Sequence, residues 1–307
     1  MSHSDQGTTG RRPDLEASAE NTAEAIAFLR DGTSPGPSLS LKDMAAMAKK
    51  LRRHIITMTG KAGSGHPGGS LSAAEIVTAL YFHVLRHDPS NPRWEGRDRF
   101  VLSKGHAAPV LYAALAECGY FPTEDLQTLR TLGSCLQGHC DVTTTTGVEM
   151  SSGSLGQGLS VGVGMALAGR LDRLDYRVYV LLGDGECDEG QVWEAAMACS
   201  HFKLDNLVAI VDFNRQQIDG WTKDVMSLDP LDEKWRAFGW HTVDVDGHDL
   251  SALLAGLEEA KRVKGGPSAI IAHTVKGKGV SFMENNPDFH GKAPSAEEVD
   301  RALRELE

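Results

Sequence analysis

The sequence predicts an α/β fold in which a doubly wound, mostly parallel sheet carries helices on both faces. Two apolar segments rich in β-branched residues, 177–182 and 207–213, have the composition of strands that are buried on both faces. Between them, residues 189–201 place apolar side chains at helical spacing. A strand, a helix and a second strand in this order are typical of parallel sheets.

The remaining elements follow from the same patterns. Ser40 is predicted to cap the first helix. Residues 1–38 form a polar lead rich in Ser, Gly, Pro and Asp, which we expect to be partly disordered or to contact a partner. Residues 39–307 are expected to form one domain. Helices are predicted over 41–59, 72–85, 107–118, 123–132, 159–171, 250–264 and 297–307, and further strands over 99–102, 240–245 and 268–274.

Composition excludes several classes of protein. The net charge of −11, from 31 basic and 42 acidic residues, argues against a nucleic-acid-binding protein. No apolar run reaches the roughly 18 residues of a membrane span, and the polar start does not resemble a signal peptide. Five cysteines without a CxxC pair indicate reduced thiols. We therefore expect a cytoplasmic protein that binds neither nucleic acid nor membrane.

Two polar side chains follow the two central strands. Asp184 lies between Gly183 and Gly185 directly after the first strand, and Asn214 follows the second. Because neighbouring parallel strands end at the same crevice, these side chains are expected to meet there. Carboxylate, amide and backbone carbonyl oxygens are ligands that Mg²⁺ or Ca²⁺ prefers, and Mg²⁺ adds phosphate oxygens. A helix that starts beside them would favour a diphosphate.

Four histidines lie in glycine-containing loops. His66 stands in SGHPGGSLS, His106 in SKGHA after a predicted strand, His139 in QGHC and His290 in DFHG. An imidazole with an ordinary pKa of about 6.5 suits proton transfer near neutral pH. By contrast, His241 and His248 are interpreted as surface or packing residues. The small-residue helix 159–171 suits either a subunit interface or close internal packing.

These motifs together resemble one known family. The sequence GDG, followed about thirty residues later by Asn, resembles the thiamine diphosphate motif. SGHPGGSLS, DRFVLSKGHA and SSGSLGQG resemble segments of transketolases, and the resemblance covers about residues 40–292. The QGHC segment departs from the family, which usually has Gly-His-Pro at that place.

The resemblance implies thiamine diphosphate and Mg²⁺, or Ca²⁺, as cofactors, and it implies a role for each matching residue. Asp184, Asn214 and the carbonyl of Gln216 would bind the metal. Gly153 and Leu155 would hold the aminopyrimidine, and His106, Gly185, Asn214 and His290 would also contact the cofactor. His66, His139 and His290 would act on the substrate as catalytic groups.

The resemblance also implies an activity and a partner. Transketolases pass a two-carbon ketol unit from a ketose phosphate to an aldose phosphate, as in pentose phosphate metabolism. They are about twice this length, and a second domain supplies the glutamate that activates the cofactor. The sequence is therefore interpreted as the N-terminal subunit of a split transketolase. A separate C-terminal subunit would complete the enzyme, as an α2β2 assembly.

Other interpretations remain open. A transketolase-like subunit that acts on an unusual donor or acceptor in a specialised pathway would have the same motifs, because the resemblance does not extend to the half that sets specificity. The α subunit of a 2-oxo acid dehydrogenase also has GDG and Asn, but it is not expected to combine GHPG with SKGHA. A longer deoxyxylulose phosphate synthase and a non-catalytic scaffold are less favoured.

Overall fold

Five parallel strands form the central sheet of this computed structural model, which describes residues 38–218 and 220–307. Nearly all of the predicted polar lead, residues 1–37, therefore lies outside the described residues. The order of strands across the sheet is β1-β2-β3-β5-β4, and every neighbouring pair is parallel. The strands are β1 (Arg99–Leu102), β2 (Val178–Gly183), β3 (Leu207–Phe213), β4 (His241–Asp246) and β5 (Ser268–His273).

Helices connect these strands and cover the sheet. They are α1 (Leu41–Ala62), α2 (Pro67–Ser72), α3 (Ala74–Ala79), α4 (Ala108–Cys118), α5 (Gln157–Leu171), α6 (Gly190–His201), α7 (Thr222–Val225), α8 (Leu231–Ala237), α9 (Leu250–Arg262) and α10 (Ala296–Glu305). Single turns of 3₁₀-helix cover Gly105–Ala107, Thr123–Thr128, Gly185–Asp188 and Pro287–His290, and a π-helical turn covers Leu80–Val84. A small antiparallel hairpin pairs Gln216–Gln217 with Gly220–Trp221.

The two faces of the sheet each carry a separate hydrophobic core. Successive side chains of a strand point to opposite faces. Tyr179 and Leu181 of β2 accordingly pack with α1, α3, α4 and α9, whereas Val180 and Leu182 pack with α5, α6 and α8. All four side chains are buried. The predicted doubly wound fold with helices on both faces is thus confirmed.

Element bounds agree with the sequence patterns in some places and not in others. β1 and β3 have the predicted bounds, and Ser40 caps α1 by accepting from the backbone N–H of Asp43 at 3.2 Å. The prediction of one helix over 72–85 is wrong in its start and in its continuity. Helix α2 already begins at Pro67, and the helix is interrupted at Ala73 before α3 begins. Proline is favoured at the first helical position, where it sacrifices no hydrogen bond. Of the predicted helix 123–132, only the 3₁₀ turn forms.

The small-residue helix α5 packs closely against the sheet on one side. A Cβ atom added at Gly162 would lie 2.6 Å from Cγ2 of Val180, and one added at Gly158 would overlap Oγ of Ser103. At Gly164, on the opposite side, an added Cβ would meet nothing within 4 Å. Close internal packing therefore explains the buried side of α5. Within residues 38–218 and 220–307, no helix is long and apolar enough to cross a membrane.

Candidate active site

The loops at the carboxyl ends of β1, β2, β3 and β5 surround a cavity of about 90 Å³. This is the position at which ligands bind to open α/β sheets. Seven of the ten predicted site residues line the cavity. They are His106, Leu155, Asp184, Gly185, Asn214, Gln216 and His290.

The predicted metal ligands belong to two loops that are joined by hydrogen bonds. One carboxylate oxygen of Asp184 accepts from the backbone N–H of Gly185 at 2.8 Å, and the other accepts from the N–H of Arg215. Asn214 Oδ1 accepts from the N–H of Gln216 at 3.1 Å. These contacts hold a carboxylate and an amide oxygen at the cavity wall, beside the main chain of Gln216.

Positive charge lies against these oxygens. Lys276 Nζ is 3.5 Å from the carbonyl oxygen of Gln216 and 2.8 Å from Nδ1 of His290. Lys104 forms a buried ion pair with Asp212 and donates to the carbonyl of Gly69 at 2.9 Å. Burial, followed by the charge of Lys104, lowers the pKa of Lys276 to about 8. Lys276 thus makes this part of the cavity suitable for an anion, whereas the charge of Lys104 is balanced by Asp212.

The four predicted loop histidines form one cluster. The ring centre of His66 is 5.5 Å from that of His106, 5.6 Å from that of His139 and 5.6 Å from that of His290. The rings of His106 and His290 are 5.2 Å apart. Gly153 lies beside this cluster with φ of +148°, and a Cβ added there would be 3.4 Å from the ring of His139. Histidines from four separate segments therefore meet in one cluster, of which His106 and His290 line the cavity while His66 and His139 lie beside them.

Burial and positive neighbours keep these imidazoles neutral. Burial, and then the charges of Arg130, His139 and Lys276, lower the pKa of His66 to about 4. The pKa of His290 is lowered to about 3 by burial, Lys276 and His66. Burial also lowers the pKa of His106 and of His139. At neutral pH each ring can therefore donate from one nitrogen and accept at the other.

Comparison with known proteins identifies the family. Residues 43–306 match the family model described as transketolase, thiamine diphosphate binding domain. The chain belongs to the transketolase family. Thiamine diphosphate is accordingly the cofactor of this domain.

Two similar proteins are single subunits of transketolases. The chain is 49% identical over 265 residues to the 6-deoxy-6-sulfo-D-fructose transketolase subunit SqwG of Clostridium sp. (strain MSTE9), covering 86% of this chain and 96% of that protein. It is 43% identical over 268 residues to one subunit of the apulose-4-phosphate transketolase of Phocaeicola vulgatus, covering 87% of this chain and 95% of the relative.

Other members of the transketolase family are longer. The chain is 44% identical to human transketolase and covers 42% of its length. A crystal structure of transketolase from Campylobacter jejuni superposes with a TM-score of 0.83 at 34% identity, over 87% of this chain and 43% of that one. The chain thus spans about two fifths of the solved transketolases that it matches, and nearly the whole of the two subunit relatives.

The residues present fit a transketolase's metal and diphosphate. Among the described residues, no group of three or more His, Cys, Asp or Glu side chains is placed to hold a metal. The cavity instead offers the carboxylate of Asp184, the amide oxygen of Asn214 and the backbone carbonyl of Gln216, a set that suits Mg²⁺ when phosphate oxygens and water complete its coordination. Burial and the neighbouring Asp212 raise the pKa of Asp184 to about 7. A divalent cation there would favour the charged carboxylate.

Four charged residues of this region were not predicted from the sequence. Lys104 and Lys276 lie within or next to the predicted motifs. Their positions in the loops that follow β1 and β5 could have indicated that they belong to the site. Glu186 is buried and accepts from the N–H groups of Gly156 and Gly183, each at 2.9 Å, and from the hydroxyl of Ser103. It thereby ties three loops together. The fourth is Arg130, which lies between α4 and α5, and no sequence motif indicates that it belongs to the site.

The two histidines interpreted as surface or packing residues lie outside the cluster. His241 pairs with Glu259, and both side chains are exposed. His248 Nε2 accepts from the N–H of Val275 at 2.8 Å, and Nδ1 donates to Glu75 at 2.9 Å. That histidine therefore serves packing.

Proposed function

We propose that this chain is the N-terminal subunit of a Mg²⁺-dependent split transketolase, which moves a two-carbon ketol unit from a ketose phosphate to an aldose phosphate in the cytoplasm. The observation that carries the proposal is one cavity in which oxygens of Asp184, Asn214 and Gln216 face Lys276 and His290. The histidine cluster adjoins this cavity. Both features are those expected of a site that binds a metal diphosphate beside a sugar.

Each side of the cavity has its own task. Asp184, Asn214 and the carbonyl of Gln216 hold Mg²⁺, while Lys276 and His290 donate hydrogen bonds to phosphate oxygens. The hydrophobic side chain of Leu155 and the adjacent Gly153 accommodate the aminopyrimidine, and His106 and Gly185 contact the cofactor. When bound, thiamine diphosphate supplies a nucleophilic carbon that breaks and forms carbon–carbon bonds next to a carbonyl group.

The histidines act on the sugar. His66 and His139 are neutral, so each ring can donate a hydrogen bond to a sugar oxygen and accept a proton from a hydroxyl group. His290 reaches both the phosphate side, through Lys276, and the ring of His66. A neutral cluster also avoids repelling the two lysines. Proton transfer at substrate hydroxyl groups is therefore the work of this chain's own residues.

The described part of the chain lacks a carboxylate that is free to activate the cofactor. Asp184 and Glu186 are the carboxylates that line the cavity among the described residues. The first is needed for the metal, and the second already accepts three hydrogen bonds from Ser103, Gly156 and Gly183. A separate C-terminal subunit would supply the activating glutamate, in an α2β2 assembly. The two subunit relatives, which this chain nearly spans, support this division.

A specialised substrate is the second candidate. The two subunit relatives are named for 6-deoxy-6-sulfo-D-fructose and for apulose 4-phosphate, which favours an unusual donor or acceptor for this chain as well. An α subunit of a 2-oxo acid dehydrogenase is not favoured, because the match over residues 43–306 is to transketolase.

The test is ketol transfer by purified subunits. We would supply thiamine diphosphate, Mg²⁺ and ribose 5-phosphate, with xylulose 5-phosphate or 6-deoxy-6-sulfo-D-fructose as donor. This chain is measured alone and with a separately purified C-terminal transketolase subunit. We expect turnover only in the mixture. Turnover by this chain alone would contradict the need for a partner. Turnover of the mixture with 6-deoxy-6-sulfo-D-fructose but not with xylulose 5-phosphate would favour the second candidate.

A further inference from the structure

Arg130 connects two of the histidine loops. Its guanidinium donates to Oγ of Ser64 at 2.8 Å and to the carbonyl of Gly138 at 3.2 Å, and Nη2 lies 3.4 Å from Nδ1 of His66. Ser64 and His66 belong to the first histidine loop, and Gly138 directly precedes His139. We propose that Arg130 is a positioning residue that holds His66 in the tautomer with its proton on Nε2 and fixes the two loops against each other.

The backbone around Arg130 is built to present this side chain. Its φ is +59°, a left-handed conformation that costs a non-glycine residue about 1–3 kcal/mol and persists where surrounding contacts enforce it. The backbone N–H of Arg130 donates to the carbonyl of Leu136 at 2.9 Å, which closes a loop that ends two residues before Gly138. The backbone position from which the guanidinium extends is thus fixed.

Gly138 provides the surface on which the guanidinium lies. A Cβ atom added to Gly138 would be 3.0 Å from both Cζ and Nε of Arg130. A side chain at this position would therefore displace the guanidinium from His66. The Nε atom is buried and has no hydrogen-bond partner among the described residues. Close contact with Gly138, rather than a full set of hydrogen bonds, holds the group in place.

The chemistry of the two groups decides the tautomer. A guanidinium has N–H donors and no acceptor, and it stays charged at any ordinary pH. The nitrogen that faces it must therefore be unprotonated, so Nδ1 of His66 accepts and Nε2 carries the proton. Protonation of Nδ1 would bring an N–H against the guanidinium. Nε2 is then a hydrogen-bond donor for a sugar oxygen.

The other neighbours of His66 add positive charge or further imidazoles. They are His106, His139, His290 and Lys276. Unlike these neighbours, Arg130 is a charged group within 3.4 Å of the His66 ring, and its charge also contributes to the lowered pKa of His139. One arginine therefore acts on both histidines assigned to the sugar side.

The decisive measurement is the tautomer of His66 in the full chain without a partner. Histidine labelled with ¹⁵N distinguishes protonated from unprotonated ring nitrogens by NMR, and the His66→Gln variant assigns the signal. We expect Nδ1 of His66 to be unprotonated and Nε2 protonated from pH 8 down to pH 5. A proton on Nδ1 in this range would overturn the proposal, whether or not any variant folds.

Substitution tests the cause. In Arg130→Met, we expect both tautomers of His66 to be populated and its pKa to rise from about 4 by roughly one pH unit. Arg173→Met is the matched control, because Arg173 also has φ of +59° but is exposed on the surface. The control should leave the His66 signals unchanged. Unchanged His66 signals in a folded Arg130→Met chain would contradict the proposal.

Turnover provides a second readout, which rests on the proposed transketolase function. In the reconstituted enzyme, Arg130→Met should lower kcat about 10- to 100-fold through misplacement of His66, with cofactor affinity unchanged. Arg130→Lys should recover part of the loss, since one ammonium can face Nδ1 but cannot span all three partners. Unchanged kcat in Arg130→Met would oppose the positioning role. If the mixture shows no turnover with any donor, the proposed function fails while the NMR result still decides the tautomer.

Discussion

At the scale of single residues, the proposed metal site depends on one carboxylate. Asp184 is buried, and backbone N–H groups of Gly185 and Arg215 already orient both of its oxygens. A side chain held in this way needs no rearrangement to bind a cation. Its position between two loops also explains why a change there would be felt by Asn214.

We predict that Asp184→Ala abolishes Mg²⁺-dependent binding of thiamine diphosphate by the reconstituted complex. The variant leaves one amide and one carbonyl oxygen, too few protein ligands for a divalent ion. Calorimetric titration of the cofactor with and without Mg²⁺ measures the effect. Asp188→Asn, an exposed change in the same loop, is the control and should bind normally. Normal binding by Asp184→Ala would refute the metal assignment.

His66→Ala separates substrate chemistry from cofactor binding. We predict nearly unchanged cofactor affinity and a fall in kcat of roughly 10²–10⁴, the range typical of a lost proton-transfer group. Steady-state kinetics and cofactor titration on the same preparation give both values, with the exposed His241→Ala as control. Loss of cofactor binding would move His66 to the diphosphate side of the site.

Site residues at or near strand ends could be predicted from the sequence. Site residues whose long side chains reach across from another loop could not. Asp184 and Asn214 follow strands directly and His106 lies in the turn after β1, so the topology of a parallel sheet brings them together. Lys276 and Arg130 reach the site from loops whose path depends on packing. Their direction is set by contacts with His290 and Gly138, and such contacts leave no periodic pattern in the sequence.

At the scale of elements, a buried charged network joins α1 and α3 to the loops after β4 and β5. Arg52 binds both carboxylate oxygens of Glu75 at 2.5 and 2.6 Å, and it also donates to the carbonyl of Lys278 at 2.9 Å. His248 links Glu75 to the N–H of Val275. The network therefore supports the loop that carries the cavity lysine.

Glu75→Gln should lower the free energy of unfolding by about 3 kcal/mol, because it leaves a buried guanidinium without its countercharge. Burial alone would raise the pKa of Glu75, but hydrogen bonds from His248 and Arg52 lower it to about 2. Since this pKa lies below the unfolded value of about 4.5, the stabilisation is complete above pH 4.5 and is lost as the pH falls toward 2.

Urea denaturation of the wild type and of Glu75→Gln at several pH values measures the difference between their free energies of unfolding. This difference should shrink in acid. The control is Asp232→Asn, which removes an exposed helical ion pair with Arg236 and should cost about 0.5 kcal/mol or less. A difference between wild type and Glu75→Gln that is independent of pH would contradict the electrostatic explanation.

Helix α5 provides a matched pair of glycines. Gly162→Ala should destabilise the chain by about 1–3 kcal/mol, because the new methyl group would lie 2.6 Å from Val180. Gly164→Ala meets open space and should be neutral or stabilising by up to about 1 kcal/mol, through its higher helix propensity. Thermal denaturation of the chain alone compares the two. Equal stability of both variants would refute close packing as the reason for Gly162.

Helix continuity was the least predictable feature at this scale. The apolar pattern of 72–85 resembles one helix, yet the structure divides the region into α2, α3 and a π-helical turn. His66 directly precedes α2, so the early start of α2 at Pro67 marks the end of the first histidine loop. Periodicity reports which side chains are buried, and here all fourteen predicted helical positions are buried, so no polar face marks the interruption.

At the scale of the whole molecule, the class of fold was predictable and the order of strands was not. Buried β-branched runs separated by helical segments require a parallel sheet covered on both faces. The sequence contains no comparable pattern that places β5 between β3 and β4. That order depends on long-range pairing: five residues of β3, Val208–Asp212, pair with β2 on one edge and with β5 on the other.

This strand order has a consequence for biosynthesis. While the ribosome is still making the chain, β3 has an open edge and β4 has no neighbour, because both pair with β5, which emerges last among the strands. The turn that carries His290 emerges later still. Unpaired edges in an unfinished sheet are exposed to wrong pairing and aggregation. The nascent chain therefore passes through a vulnerable interval that lasts until β5 has emerged, and Lys276 and His290 complete the lining of the cavity only after it.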